Sequence, residues 1–276
     1  MCNKNRKRLL LLSDIHYCQE EYGGIARDEK IERLLAQINA EHQKEPFERI
    51  LFLGDYSLDH WMWGTKGSWL AEGTSYTQIF AERYCGRLPA PYYLLPGNHE
   101  QFGEEAWERI TGCKRSANFT VGDYLIILWD SYGADLDPTE HSDGTYAPID
   151  VAAVRGLMEA EPEKKVILCS HYFHPTFRPE EQELIADPRV VCLFQGHTHY
   201  AGVLTLPKEY GAKKLIQTGS WAKIIPGGNI AWGVRELIFE PDRVFTEYLV
   251  AEQPLYHNGQ PYTLAERRQD GVEIAF

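Results

Sequence analysis

The chain has 276 residues, 43% of them apolar and 25% charged, with 28 Lys and Arg against 40 Asp and Glu for a net charge of −12. That balance is the composition of a globular protein long enough for a large core, and it excludes disordered and fibrous classes. The acidic surplus also argues against a nucleic-acid backbone as partner, which needs clustered cations.

Lys4, Arg6, Lys7 and Arg8 precede the apolar run Leu9, Leu10, Leu11, Leu12, which stops at Ser13 and Asp14. A secretory signal needs roughly 7–15 apolar residues there and a membrane span about 20, so a charged tail entering a core strand is expected, with no membrane partner. The six cysteines include no Cys-x-x-Cys pair, and Cys169 and Cys192 fall inside apolar runs. Buried thiols in a reducing, cytoplasmic setting are the expectation.

Over 28–45, Ile31, Leu34, Leu35 and Ile38 recur at helical spacing. This predicts an amphipathic helix with its charges on the remaining face, capped by Asp28 and stopped by Pro46. Aromatics dominate next, with Trp61, Trp63, Trp69, Tyr76, Phe80 and Tyr84 broken by Gly64, Gly67 and Gly73. The segment 75–83 reads as a helix and 61–69 as a long loop whose rings either plug the core or contact substrate. A helix over 103–110, strands over 116–120 and 124–129, a Gly-, Asp- and Pro-rich loop over 132–147 and a helix over 150–160 follow. Strands over 215–217, 235–239 and 244–250, the last two joined by Pro241-Asp242, dominate the final third.

Helices alternating with strands and then strands alone predict an α/β fold of two packed sheets with helices outside. One domain over 1–276 is expected, with a core of about 8–250. The extension 251–276, with Pro254, Tyr256, His257 and Tyr262, packs on the domain or on a second subunit, and the oligomeric state stays open.

Five segments at the ends of apolar runs carry metal-binding residue types. They are Asp14-Ile15-His16, Gly54-Asp55, Gly97-Asn98-His99-Glu100, Ser170-His171 and Gly196-His197-Thr198-His199, following runs at 8–12, 50–53, 92–95, 166–169 and 190–194. Strands that end together deliver their following residues to one sheet edge, so these loops can converge. Half of the ten histidines lie in them. Imidazole nitrogen with carboxylate oxygen suits Mn, Fe or Zn better than Ca or Mg. Asp55 has two oxygens and can bridge ions roughly 3.5–4 Å apart. Asn98 offers a carbonyl oxygen and His171 a nitrogen.

The order D-x-H, G-D, G-N-H-E, H, G-H-x-H resembles the calcineurin-like metallophosphoesterase family over about 8–250. The resemblance implies two mixed β-sheets flanked by helices, with a dinuclear metal site at the strand C-terminal ends. By motif, Asp14, His16 and His199 would hold one ion and Asn98, His171 and His197 the other, with Asp55 bridging. His99 would sit near the substrate phosphate, donating a proton to the leaving oxygen or steadying the phosphoryl charge, oriented by Glu100 or Asp59; Glu100 read by itself is a surface acid or helix cap. Hydroxide attack on a small-molecule or nucleotide phosphoester follows, with larger substrates (nucleic acid or lipid head groups) or a non-catalytic metal-binding scaffold on the same fold as alternatives.

Three departures bear on that carry-over. The fourth motif reads Ser170-His171-Tyr172-Phe173-His174-Pro175. His171 ends its strand as the other candidate ligands do and is preferred, which leaves His174 at the rim or in solvent. The purple acid phosphatase branch has tyrosine three residues after the bridging aspartate, where this chain has Leu58, so no iron–tyrosinate is expected. The Asp-Arg-Gly of the protein-phosphatase branch is replaced by Tyr56-Ser57-Leu58, which removes the case for phosphoprotein specificity.

Overall fold

A computed structural model describes residues 6–19, 25–60, 73–133, 144–222, 232–251, 255–257, 260–262 and 268–275. The aromatic loop 61–69 and Pro254 therefore lie outside the described residues.

In chain order the elements are β1 (Lys7–Leu12), α1 (Arg27–Lys44), β2 (Arg49–Leu53), α2 (Tyr76–Arg83), β3 (Tyr92–Leu95), α3 (Glu104–Thr111), β4 (Ala117–Val121), β5 (Tyr124–Trp129), α4 (Val151–Ala160), β6 (Lys165–Ser170), α5 (Pro179–Ala186) and β7 (Val190–Gln195). There follow β8 (Val203–Thr205), β9 (Lys214–Gln217), β10 (Gly233–Phe239), β11 (Arg243–Val250), β12 (Leu255–His257), β13 (Gln260–Tyr262) and β14 (Arg268–Ala275). Two six-stranded sheets run β14-β11-β10-β1-β2-β3 and β4-β5-β6-β7-β9-β8, and β12 and β13 pair by themselves. Both sheets are mixed. β1, β2 and β3 are parallel in the first and β5, β6, β7 and β9 in the second, with antiparallel strands outside them.

Strand periodicity builds the layers. In β1, Leu9 and Leu11 point between the sheets, while Leu10 and Leu12 point outward to α1, α2 and α3. Leu51 and Leu53 of β2 repeat the inward set and Ile50 and Phe52 the outward one, as a period of two requires. On the far side, Leu125, Ile127, Val166 and Leu168 meet α4 and α5. Both faces of each central strand are buried, which is why those runs are continuously apolar in sequence.

The helix ends correct some details. Ala26, not Asp28, precedes α1; Asp28 instead accepts the hydroxyls of Tyr17 and Tyr84 at 2.8 and 2.9 Å. The charges of α1 are not all on its outer face either. Lys30 and Glu41 are buried beside Leu34 and Ile38, because each finds a polar partner there: Lys30 Nζ donates to the Ile15 carbonyl, and Lys44 reaches Glu41 at 2.9 Å. Ser75 and Asp150 cap α2 and α4 with their own side chains.

Candidate metal centre

The loops that leave β1, β2, β3, β6 and β7 meet at one edge of the two sheets. Among the described residues, six non-glycine residues have positive φ. Five of them are Asp14, His16, Asp55, His197 and His199, at 50–64°. A left-handed backbone costs an ordinary residue roughly 1–3 kcal/mol and persists only where its surroundings over-determine it. Here they do. Asp14 N donates to Gly54 O at 3.0 Å and His16 N to Asp55 O at 3.0 Å. The Asp14 carbonyl accepts Trp221 N and Ser220 Oγ, both at 3.0 Å. Lys30 Nζ donates to the carbonyls of Ile15 and, at 3.2 Å, His16.

Three groups of donor atoms lie within 4.8 Å of one another: Asp14, His16 and His199; His16, Asp55 and His99; and Asp55, His171 and His197. Asp55 is the hinge between them. Its Oδ2 is 3.2 Å from His171 Nε2, 3.7 Å from His99 Nε2 and 3.8 Å from His16 Nε2. Asp14 Oδ1 faces His199 Nε2 at 3.3 Å. Asn98 Oδ1 faces His171 Nε2 at 2.9 Å and His197 Nδ1 at 3.0 Å. His171 is fully buried, with Nδ1 donating to the Leu53 carbonyl at 2.6 Å, so Nε2 is the nitrogen turned to the site. His174 is exposed.

These groups fit a metal. Asp14 Oδ1 is buried and receives no hydrogen bond. An ion about 2.0–2.2 Å from each donor would hold neighbouring donors roughly 3–4 Å apart, close to the spacings found here. A mixed set of Asp, His and Asn side chains suits Mn, Fe or Zn.

Glu100 has a role its sequence does not announce. Its carboxylate is fully buried and accepts the backbone N–H of Asp55 (2.8 Å), Ser57 (2.7 Å) and Gly97 (2.8 Å), tying the loop after β2 to the loop after β3. It is neither a surface acid nor a helix cap. Asp59 accepts Tyr76 N at 2.6 Å and Thr77 N at 3.0 Å, at the start of α2. The two loops also touch directly. A Cβ on Gly97 would fall 2.1 Å from Asp55 Oδ1, so only glycine allows the approach.

Sequence reading also missed His60 and Ser13. His60 N donates to His99 O at 3.1 Å and its Nδ1 accepts Gln101 N at 2.9 Å, which brackets His99 from behind. Ser13 Oγ donates to Asp14 Oδ2 and lies 2.7 Å from Thr218 Oγ1. Ser13 sits directly before a predicted ligand, and that adjacency was the available signal. For His60 there was none.

Burial and neighbouring charge compete over protonation. Burial pushes Glu100 up to about 8, with the Asp55 charge adding to it. Burial brings His16 down to about 4. For Asp55, burial acts upward, but the imidazoles of His171 and His99 outweigh it and hold the carboxyl well below the usual range. His171 moves up to about 9, since Asp55 overcomes the burial that lowers it.

Comparison with known proteins agrees with this geometry. The family model of the calcineurin-like phosphoesterases matches residues 7–201. The chain belongs to that family. Among solved structures, a purple acid phosphatase from yellow lupin (Lupinus luteus) superposes with a TM-score of 0.58 at 11% identity, covering 98% of this chain and 54% of the lupin chain. The chain thus spans about half the length of the lupin protein. The Plasmodium protein GAP50, the anchor in the inner membrane complex of that organism, gives a TM-score of 0.55 at 12% identity, covering 96% of this chain and 90% of its own. At such identities these likenesses concern the fold. No curated protein sequence matches the chain. Among the described residues, no helix is long and apolar enough to cross a membrane.

Proposed function

We propose that this calcineurin-like phosphoesterase is a metal-dependent hydrolase of small-molecule or nucleotide phosphoesters. Asp14, His16 and His199 would hold one divalent ion, and Asn98, His171 and His197 a second, with Asp55 shared. The observation that carries the reading is the place of Asp55 Oδ2, within 3.8 Å of His16 Nε2 on one side and 3.2 Å of His171 Nε2 on the other. When bound, two Mn, Fe or Zn ions would supply Lewis acidity, lowering the pKa of a water and neutralising phosphoryl charge.

The protein's own groups do the rest. His99 is anchored by its N–H on Asp55 Oδ1 at 3.1 Å, and its ring stands beside the cluster. Its role is to give a proton to the departing ester oxygen. The buried walls exclude bulk water and strengthen each charge interaction. Glu100, His60 and Lys30 position the loops without touching substrate. The net charge of −12 disfavours nucleic acid as the substrate. A scaffold role would leave the seven candidate ligands without a task, and their convergence favours the enzyme. Free, buried thiols at Cys18, Cys85, Cys113, Cys169 and Cys192 fit a cytoplasmic location.

The test is turnover of bis-p-nitrophenyl phosphate and p-nitrophenyl phosphate with manganese added, beside metal content by elemental analysis. Two ions per chain and turnover of one ester are expected. A chain that binds no metal and hydrolyses neither ester would refute the proposal.

A further inference from the structure

A chain of rings leads away from the His171 and His197 side of the centre. Tyr132 is buried, with its ring centroid 5.9 Å from that of His171 and 6.3 Å from that of His197. Tyr172, directly after His171, lies 4.5 Å from the His197 ring and is half-buried. Tyr146 stands 5.8 Å from Tyr172 and 5.4 Å from His174, which is exposed. The rings thus form a continuous wall from the candidate ligands to solvent.

Tyr132 is accounted for as packing behind two imidazoles. Tyr172 is different. Its ring neighbours His197, His174 and Tyr146 meet it at 48°, 74° and 82°, so among the described residues none of these lies parallel on its face. Its backbone is fixed, with Tyr172 N donating to Ser131 Oγ at 3.2 Å and Phe173 N to Gln195 Oε1 at 3.0 Å. A rigidly mounted, partly exposed aromatic face beside a phosphate-binding centre is a platform for a flat ring, since stacking needs only a π-face and little ordering.

We infer that Tyr172, set against His197 and flanked by Tyr146, stacks a planar ring carried by the organic group esterified to the substrate phosphate. The inference rests on the phosphoesterase reading for its orientation. It makes Tyr172 a specificity residue that recognises either a nucleobase or a simple aryl group.

Calorimetric binding to the full chain with manganese tests this without turnover, using phosphonate analogues that resist hydrolysis. One pair is the analogues of adenosine 5′-phosphate and ribose 5-phosphate, which differ only by the base. The other is phenylphosphonate and ethylphosphonate, which asks whether a bare aryl ring suffices. In at least one pair the ring-bearing ligand should bind about tenfold tighter. Tyr172→Leu should bring that ratio within about twofold, and Tyr172→Phe should keep it. Equal binding within both pairs, no binding of any ligand, or a preference that survives Tyr172→Leu overturns the inference. A ring preference in a protein that hydrolyses no ester would sink the enzymatic reading and leave the subsite standing. Hydrolysis without ring preference would do the reverse.

Discussion

The two halves of the candidate metal centre are held in different ways. On the Asp14, His16 and His199 side all three backbones are left-handed, at φ 52, 50 and 63°. Asp14 and His16 are kept there by donors from elsewhere in the fold: Ser220, Trp221 and Lys30. On the Asn98, His171 and His197 side, only His197 is left-handed. His171 is fixed instead through its ring, by the Leu53 carbonyl and the ring of Tyr132, and Gln101 Nε2 donates to the Asn98 carbonyl at 2.7 Å. The first half leans on main-chain contacts at Asp14 and His16, and the second on contacts to the His171 ring. The first should therefore be the more sensitive to changes that touch no ligand.

Four substitutions break or sharpen that contrast. Asp55→Asn, at the junction, should abolish both halves together, with a loss of activity well beyond the roughly 100-fold typical of changes outside the ligand set. Elemental analysis should show depletion of both ions. His99→Ala should lower kcat by about 10²–10⁴-fold while metal content stays at wild type. The loss should shrink for esters with a good leaving group such as p-nitrophenolate, which needs no proton. A drop of one ion per chain would instead make His99 a ligand, as its grouping with His16 and Asp55 permits. Lys30→Met removes the donors behind Ile15 and His16 without touching a ligand side chain. It should weaken one ion by about 10–100-fold in a manganese titration and spare the other. Equal weakening of both would erase the proposed difference between the halves. Ser13→Ala deletes one hydrogen bond to Asp14, worth about 1.5–3 kcal/mol to a charged group at most, and should give the smallest shift, on the same ion.

Much of this was legible because burial on both faces leaves an unmistakable trace. The strands Tyr92–Leu95 and Tyr124–Trp129 are apolar from end to end, and the polar residue type that follows each ligand-bearing strand marks where the sheet edge begins. The short helix α5 was not foreseen, since its two buried apolar residues, Leu184 and Ile185, are too few for a periodic signal. Lys30 looked like a surface charge because its partners are carbonyls 14 and 15 residues earlier, which no spacing rule reveals. Glu100 was misread for the same reason. Two of its three N–H donors lie 43 and 45 residues away. The left-handed backbones were equally hidden: Asp and His tolerate that region better than most residues, but their presence alone does not mark it.

The contact between Gly97 and Asp55 limits how this fold can diversify. Because Asp55 and Gly97 meet with less than a methyl group's clearance, any side chain at position 97 would displace the Asp55 carboxylate. A change of substrate that leaves this contact intact can come from positions around it, Tyr172 among them. The candidate centre is the closely fitted part of the fold, and Tyr172 stands at its partly exposed rim.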